Sequence, residues 1–271
     1  MKWKYFVIVF STALFAYACT RNVITGRNQL SLVSESQVQA TAKTQYRQFL
    51  AQNTVVSPSN NKDAEMVKRV GSRIASAITQ YYKEKGQSDA LQGYKWEFNL
   101  VQSNEVNAWC MPGGKVVVYT GILPVTQNEA GLAIVLGHEI THAVAGHGRE
   151  RMSQELLAQG IQQLGAGALG SNPKALSIFN AIYAPTAQVG VLLPFSRQQE
   201  LEADHYGLIF AAMAGYNPEE AIPLWQRMQK LAGGSSTPVF LSDHPTDADR
   251  IQHLQEEMPE ALKYYKPVTG R

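Results

Sequence analysis

The chain is poor in cysteine and has no long block of charges of one sign. Its 271 residues include only two cysteines, Cys19 and Cys110, so a framework of several disulfides is excluded. The formal net charge is +2, and without a basic block the chain lacks the charge pattern of a nucleic-acid-binding protein. With 45% hydrophobic and 17% charged residues, it can instead bury a sizeable core in one or at most two domains.

The N-terminal residues have the pattern of an export signal. Lys2 and Lys4 precede an apolar stretch over residues 5–18, which is short for a bilayer span. The end of this stretch resembles bacterial lipoprotein signals, in which a cysteine becomes the first mature residue and carries the lipid. It also fits cleavage that releases a soluble protein, and an uncleaved membrane anchor is a third alternative. We therefore expect a signal peptide over residues 1–18 and predict Cys19 as the lipidation site.

The rest of the chain has the pattern of helices around a short strand region. A tether over residues 19–33 is followed by helices that capping residues and apolar periodicity predict at 34–50, 63–85, 126–147, 153–169, 196–214, 218–231 and 246–258. Alternating or continuous apolar residues predict strands at 94–100 and 116–119, with 106–110 as a candidate edge strand. We expect a single mainly helical α+β domain over residues 34–271.

The clearest chemical motif is His138-Glu139-Ile140-Thr141-His142. On a helix, residues four apart lie on one face, so His138 and His142 can present imidazole nitrogens to one zinc ion. Glu139 lies beside the open coordination position, where a carboxylate can take a proton from water and deliver it to a leaving amine. The motif predicts a zinc site for peptide hydrolysis rather than two solvated histidines on a surface helix.

The metzincin pattern, which continues this motif further along the chain, is excluded. It needs Gly where Ala145 stands and His where Gly148 stands, and the chain has His147 one position early. We expect His147 to lie near the C-terminal end of the motif helix, where it interacts favourably with the helix dipole. The third protein ligand must therefore come from elsewhere.

The segment Glu200-Leu201-Glu202-Ala203-Asp204 supplies candidates for that ligand. Glu200 and Asp204 are four residues apart and share one face of a second helix, so Glu200 can bind the metal while Asp204 holds the far nitrogen of a ligand histidine. Glu202 points elsewhere. A solvated acidic helix face is the alternative, and the presence of the first motif favours the metal site.

A long stretch at residues 175–195 has no charged residue and is about as long as a bilayer span. Asn180, Pro185, Gln188 and other polar or turn-forming residues interrupt it. We expect it to pack as a buried helix or hairpin over the candidate site rather than to cross a membrane.

Four motifs together resemble a known family. They are His138-Glu139-x-x-His142, Glu200-x-x-x-Asp204, Asn107-Ala108-Trp109 and Asp243-His244-Pro245 with Arg250. The combination is similar to the zinc metallopeptidase family of the CaaX prenyl protease, HtpX and Oma-type proteins, and among them to secreted bacterial members of the LoiP and BepA type. The resemblance implies a gluzincin (zincin) fold whose sheet has an edge strand beside the motif helix.

The same resemblance implies roles for individual residues. One zinc ion per chain would lie on His138, His142 and Glu200, with Glu139 as the general base. Asn107 and Ala108 would lie on the strand edge that pairs with the substrate backbone, a mode that an exposed edge also favours physically.

His244 lies in a loop that glycine, serine and proline mark at residues 233–245. In BepA-like members the corresponding histidine can bind the zinc as a fourth ligand and hold the enzyme shut. Alternatively, His244 donates a hydrogen bond to the oxyanion, or it only packs the loop. Arg250 on the following helix can bind the substrate carbonyl or hold this loop.

These observations predict a zinc metalloendopeptidase of the bacterial cell envelope that cleaves misfolded or misassembled proteins. The alternative is a chaperone-like assembly factor whose metal site is structural or closed. Intact His138, Glu139, His142 and Glu200 favour the enzyme, because a binding module needs no general base. We expect a periplasmic protein with a lipid on Cys19, anchored to the outer membrane, or else a soluble periplasmic protein.

Overall fold

The computed structural model describes residues 19–161, 168–183, 195–232, 238–244 and 249–267. The strands are β1 (Cys19–Arg21), β2 (Asn28–Leu30), β3 (Val55–Val56), β4 (Glu97–Val101), β5 (Ala108–Met111) and β6 (Lys115–Tyr119). The helices are α1 (Glu35–Gln52), α2 (Lys62–Glu84), α3 (Leu123–Thr126), α4 (Glu129–Val144), α5 (His147–Ala158), α6 (Pro173–Tyr183), α7 (Arg197–Met213), α8 (Ala221–Ala232), α9 (Val239–Asp243) and α10 (Arg250–Tyr264). The predicted mainly helical α+β class is confirmed.

The larger sheet has the strand order β3-β4-β6-β5. β4 and β6 run parallel, whereas β5 pairs with β6 in antiparallel fashion and lies at the edge. All five residues of β6 are buried, because this strand lies inside the sheet and both of its faces are covered. The predicted edge strand is present as β5, and it packs beside α4.

The motif helix α4 lies in the centre of the domain, and residues 131–143 are all buried. It packs against α7 at a pair of glycines. A Cβ atom on Gly137 would lie 2.6 Å from the carbonyl oxygen of Gly207, and one on Gly207 would lie 2.9 Å from the backbone nitrogen of His138. Only residues without a side chain allow the two helices to come this close. The close approach brings the acidic face of α7 against the motif.

The predicted start of the motif helix is wrong by two residues. Asn128, rather than Thr126, is the N-cap of α4, and its side chain accepts a hydrogen bond of 2.8 Å from the N–H of Gly131. Thr126 instead ends the short helix α3. Asparagine at this position supplies the same oxygen acceptor that we expected from threonine, so the sequence contained two suitable caps and tertiary packing selected one.

The predicted end of this helix is also wrong. α4 ends at Val144, and Gly146 with a φ of 64° turns the chain directly into α5. α5 therefore begins at His147, well before the predicted start at residue 153, and ends at Ala158. His147 thus lies at the beginning of a helix, not at the end of one.

Several C-terminal predictions concern residues at the limits of what the structure describes. The segment predicted over 175–195 begins with α6, in which Phe179 is buried, while residues 184–194 lie outside the described residues. The hinge at 233–236 and the helix start at 246 also lie outside them. In the described part of the chain, no helix is long and apolar enough to cross a membrane.

The segment predicted as a tether forms a hairpin that packs on the domain. β1 and β2 pair in antiparallel fashion with Cys19 opposite Leu30. Cys19 is exposed at the start of the hairpin, whereas Gln29 is 2% exposed against the end of α4. We refer to residues 19–30 as the N-terminal hairpin.

Candidate metal centre

Four side chains direct ligand atoms toward one point. They come from α4, α7 and the end of α9, and are His138, His142, Glu200 and His244. All four are buried, and their ligand atoms lie within 4.8 Å of one another. The helix spacing explains the first two, the close packing of α7 on α4 brings Glu200, and the end of α9 brings His244 to the same place.

The separations of these atoms fit a tetrahedral metal site. The Nε2 atoms of His138 and His142 lie 3.1 Å apart, and each lies 3.4 Å from a carboxylate oxygen of Glu200. The Nδ1 atom of His244 lies 3.2 Å from His138 Nε2 and 3.0 Å from Glu200 Oε1. Zinc bonds of about 2.0–2.1 Å place tetrahedral ligand atoms about 3.3 Å apart. Three imidazoles and a carboxylate are also donors that zinc accepts, so the residues present fit this metal.

His138 is oriented by a carboxylate and an arginine behind it. Its Nδ1 atom lies 2.9 Å from Asp204 Oδ1, which also accepts a hydrogen bond of 2.7 Å from Arg250. Burial lowers the pKa of His138, but the hydrogen bonds and negative charges of Asp204 and Glu200 together outweigh burial and raise it. Burial raises the pKa of Asp204, but the charge of Arg250 and the hydrogen bonds with His138 and Arg250 together outweigh burial and lower this pKa. The pair turns His138 Nε2 toward the other ligands.

Arg250 does more than hold one carboxylate. It is 3% exposed, and its second terminal nitrogen lies 3.1 Å from Glu200 Oε2. Its guanidinium carbon lies 3.5 Å from the centre of the Trp225 ring. Arg250 therefore fixes both carboxylates of α7. It is not among the described residues that line the cavity beside the centre, so the substrate contact predicted for it stays a prediction.

His142 is oriented by a second imidazole. Its Nδ1 atom lies 2.9 Å from Nδ1 of His147, whose Nε2 atom lies 2.9 Å from Glu202 Oε2. The ring of Phe195 stacks on His142 with 3.9 Å between ring centres. Burial lowers the pKa values of both histidines, which favours neutral rings that can act as one donor and one acceptor each.

These contacts correct one expectation from the sequence and add to another. His147 does not stabilise a helix C-terminus, because the chain turns at Gly146 and carries its ring back to His142. Glu202 does point away from the four ligand atoms, yet it contributes to the centre indirectly, since it accepts from His147. The sequence offered one signal for His147, its position five residues after His142. No pattern in the following residues indicated which way its side chain would point.

Glu139 lies beside the four ligand atoms and does not join them. Its Oε1 atom is 3.2 Å from Nε2 of His244, and its side chain is buried. Burial raises the pKa of Glu139 to about 7. A carboxylate with such a pKa can take up and release a proton near neutral pH.

A cavity that opens to solvent adjoins this centre. Its lining includes Glu139, His142 and His244 and the edge strand from Asn107 to Met111. The backbone oxygen of Asn107 accepts from the N–H of Tyr119, so its neighbour Ala108 directs its backbone groups away from β6. The Oδ1 atom of Asn107 lies 2.8 Å from the backbone nitrogen of Ala108. The predicted strand edge thus faces the cavity beside the motif.

The placement of the predicted site residues divides into three groups. The structure brings together the three predicted ligands His138, His142 and Glu200, and His244 joins them as a fourth. Glu139 and Asp204 contact this cluster. Asn107 and Ala108 line the cavity. Cys19 lies on the N-terminal hairpin, exposed, and nothing in its described surroundings bears on lipidation.

Comparisons with known proteins agree with this geometry. The sequence profile described as Peptidase family M48 matches residues 61–258, which include all four candidate ligands. The mitochondrial metalloendopeptidase OMA1 of Schizosaccharomyces pombe is 34% identical over 240 residues, covering 88% of this chain and 66% of that protein. OMA1 of Arabidopsis thaliana is 36% identical over 182 residues, covering 66% of this chain and 36% of that protein.

A bacterial relative is also similar. Metalloprotease LoiP of Escherichia coli strain K12 is 27% identical over 227 residues, covering 83% of this chain and 82% of LoiP. In contrast, the chain spans between about a third and two thirds of the length of the two OMA1 proteins.

Proposed function

The chain belongs to peptidase family M48, and on this premise we propose that it is a zinc-dependent metalloendopeptidase. The observation that carries the proposal is the convergence of His138, His142 and Glu200 on one point, with the carboxylate of Glu139 beside it and a cavity in front. A site that only bound metal for structure would have no use for an adjacent carboxylate with a pKa near neutrality.

The residues of the chain divide the work of peptide hydrolysis. When bound to these ligands, zinc supplies Lewis acidity toward the scissile carbonyl and an attacking water. Glu139 takes the proton from the water and delivers it to the leaving amine, which its raised pKa allows near pH 7. Asp204 and Arg250 keep the ring of His138 in place throughout.

The strand edge at β5 holds the substrate backbone. An extended peptide adds to the edge as a further strand, and the outward carbonyl of Ala108 accepts a hydrogen bond from it, while the N–H of Ala108 is donated to Asn107 Oδ1. Asn107 supports this edge through its contact with the Ala108 nitrogen. This mode accepts many sequences, which suits unfolded or misassembled polypeptides of the cell envelope, the substrate class that the family resemblance suggests.

Variants of the motif test the assignment. Glu139→Gln should keep zinc and lose at least about 10²-fold in turnover, because it removes only the proton carrier. His142→Ala should lose both, since it removes a metal ligand. The measurements are zinc content by elemental analysis and cleavage of an unfolded protein. Normal cleavage by Glu139→Gln would show that the mechanism is wrong.

The position of His244 favours a closed state of the site. Its Nδ1 atom lies 3.0 Å from Glu200 Oε1 and would take the fourth ligand position, which catalytic zinc sites leave free for water. We expect His244 to act as a gate, so His244→Ala should raise kcat/KM. A decrease of about 10²-fold would indicate an oxyanion donor instead. The same closed geometry favours the second candidate, a chaperone-like assembly factor, and that function would predict no cleavage by His244→Ala or by the unmodified chain.

The location is proposed from the N-terminal pattern. The chain is exported to the bacterial periplasm, and a lipid on Cys19 anchors it to the outer membrane, because Thr20 replaces the Asp that signals inner-membrane retention in enteric lipoproteins. Cys19→Ser should move the protein from the membrane fraction to the soluble fraction. If the intact mass of the exported protein corresponds to a chain that begins at Cys19 and carries no acyl groups, a soluble periplasmic protein is supported.

A further inference from the structure

The N-terminal hairpin closes the end of the motif helix. The backbone oxygen of Ala145, at the C-cap of α4, accepts hydrogen bonds from Asn22 Nδ2 at 2.6 Å and Gln29 Nε2 at 2.9 Å. Carbonyl groups at a helix end have no partner within the helix, so two amide groups from a distant segment satisfy one here. The hairpin is thereby attached to the corner between α4 and α5, from which His142 and His147 project.

One arginine of the hairpin contacts the carboxylate that holds His147, the residue that orients His142. Arg27 forms a fork on Glu150, with nitrogen–oxygen distances of 2.5 and 2.7 Å. Its Nε atom lies 2.8 Å from Glu202 Oε1. Arg27 thus joins α5 and α7 at the carboxylate that holds His147, and Gln199 adds a hydrogen bond of 2.8 Å to Glu150.

The donor and the acceptor in each hydrogen bond from His142 through His147 to Glu202 follow from the chemistry of the rings. Because His142 presents Nε2 to the ligand cluster, the hydrogen of its ring lies on Nδ1 and is donated to Nδ1 of His147. His147 then carries its hydrogen on Nε2 and donates it to Glu202. Only one tautomer of each ring satisfies both contacts. His147 is completely buried, whereas the side chain of Glu202 is 14% exposed.

We infer that Arg27, Glu202 and His147 are positioning residues that set the direction of His142, and that the N-terminal hairpin is thereby part of the metal centre. The inference rests on the proposed zinc site. It goes beyond that site because it makes metal affinity depend on a segment that lies ahead of the matched family region, at 61–258. A hairpin that merely covered the domain would stabilise the fold without changing the ligand geometry.

The test compares two arginines of the same hairpin in the full mature chain. Arg27→Gln removes the contacts to Glu150 and Glu202, whereas Arg21→Gln changes an exposed arginine whose Nε atom contacts the carbonyl of Gly26. Zinc affinity is measured by competition with a chromophoric chelator. We expect Arg27→Gln to weaken zinc binding about 10-fold and Arg21→Gln to leave it unchanged, in line with the usual effect of partners behind a ligand histidine.

A second variant and a spectroscopic readout separate positioning from folding. Glu202→Gln is nearly isosteric and should also weaken zinc about 10-fold. In chains loaded with cobalt(II), the visible absorption bands should shift in Arg27→Gln and Glu202→Gln, and Arg27→Lys should restore them in part because it keeps a positive charge beside Glu202. Thermal unfolding of the metal-free proteins shows that each variant is folded.

The outcomes distinguish this inference from the proposed function. If the unmodified chain binds zinc and both Arg27→Gln and Glu202→Gln match Arg21→Gln in affinity and in the cobalt spectrum, the hairpin does not position His142. If the unmodified chain binds no zinc, the proposed function fails and this inference fails with it.

Discussion

The two histidines of the motif are held by different groups on opposite sides of the metal centre. His138 contacts the carboxylate of Asp204 directly, and Arg250 stands behind that carboxylate. On the other side, an extra imidazole lies between His142 and its carboxylate, and the arginine behind it comes from the N-terminal hairpin. We call these the Asp204 side and the Glu202 side.

The difference shows how one helix serves two ligands. Glu202 and Asp204 are two residues apart on α7, about 200° round the helix, so they reach opposite sides of the site. The Asp204 side is enclosed, with Arg250 only 3% exposed, while the side chains of Arg27 and Glu202 are 20% and 14% exposed. The enclosed side should therefore be costly to disturb, and the open side should allow adjustment by water.

Asp204→Ala should have the largest effect of the changes considered on these supports. It leaves the buried Arg250 with Glu200 as its one acidic partner among the described residues, and removing one member of a buried ion pair costs about 3 kcal/mol or more in unfolding free energy. Urea unfolding of the metal-free protein measures this. Glu202→Ala is the matched control from the open side, and equal losses in the two variants would remove the distinction between the sides.

Gly137→Ala should affect both sides together. The added methyl group would meet the Gly207 carbonyl at 2.6 Å, so α7 must move away from α4 at a cost of about 2 kcal/mol. Both carboxylates move with α7, so zinc affinity should fall as well. Gly170→Ala, at a position where a Cβ meets nothing within 4 Å, is the control. Unchanged zinc affinity in Gly137→Ala would mean that the glycine contact does not set the ligand geometry.

Glu202→Ala should cost less than either of these changes. Arg27 keeps its fork on Glu150, and partial exposure lets water approach the vacated place, so we expect a loss of about 1 to 2 kcal/mol in unfolding free energy. Glu260→Ala, which removes a carboxylate paired with the exposed Lys263, serves as a control for general charge effects. A loss as large as that of Asp204→Ala would show that the open side is as rigid as the enclosed one.

Asn128→Ala should have the smallest effect and should spare the site. It removes the N-cap at the far end of α4 and costs about 1 kcal/mol. Because His138 and His142 lie further along the helix, zinc affinity should not change. Thermal unfolding and chelator competition measure the two quantities, and Asn22→Ala at the hairpin end of α4 is the comparison. Reduced zinc affinity in Asn128→Ala would show that the ligands respond to any loosening of the helix.

Much of the centre followed from spacing along the chain. The motif helix predicted that His138 and His142 share a face, and the interval from Glu200 to Asp204 predicted a second face with two carboxylates. Helical periodicity is a property of neighbouring residues, so it needs no knowledge of the fold. The roles assigned to Asn107 and Ala108 came from family resemblance and, like the substrate contact suggested for Arg250, stay predictions.

The sequence alone determined that most of the chain is helical and which pairs of side chains share a helix face, because these depend on local backbone geometry. The edge strand beside the motif came from the family resemblance. Only the tertiary structure decided that the chain turns at Gly146 to bring His147 back to His142, and that Arg27 meets Glu202, 175 residues away. It also decided that His244 enters the ligand cluster. Such contacts depend on how helices cross and which segments they bring together, and no spacing along the chain carries that information.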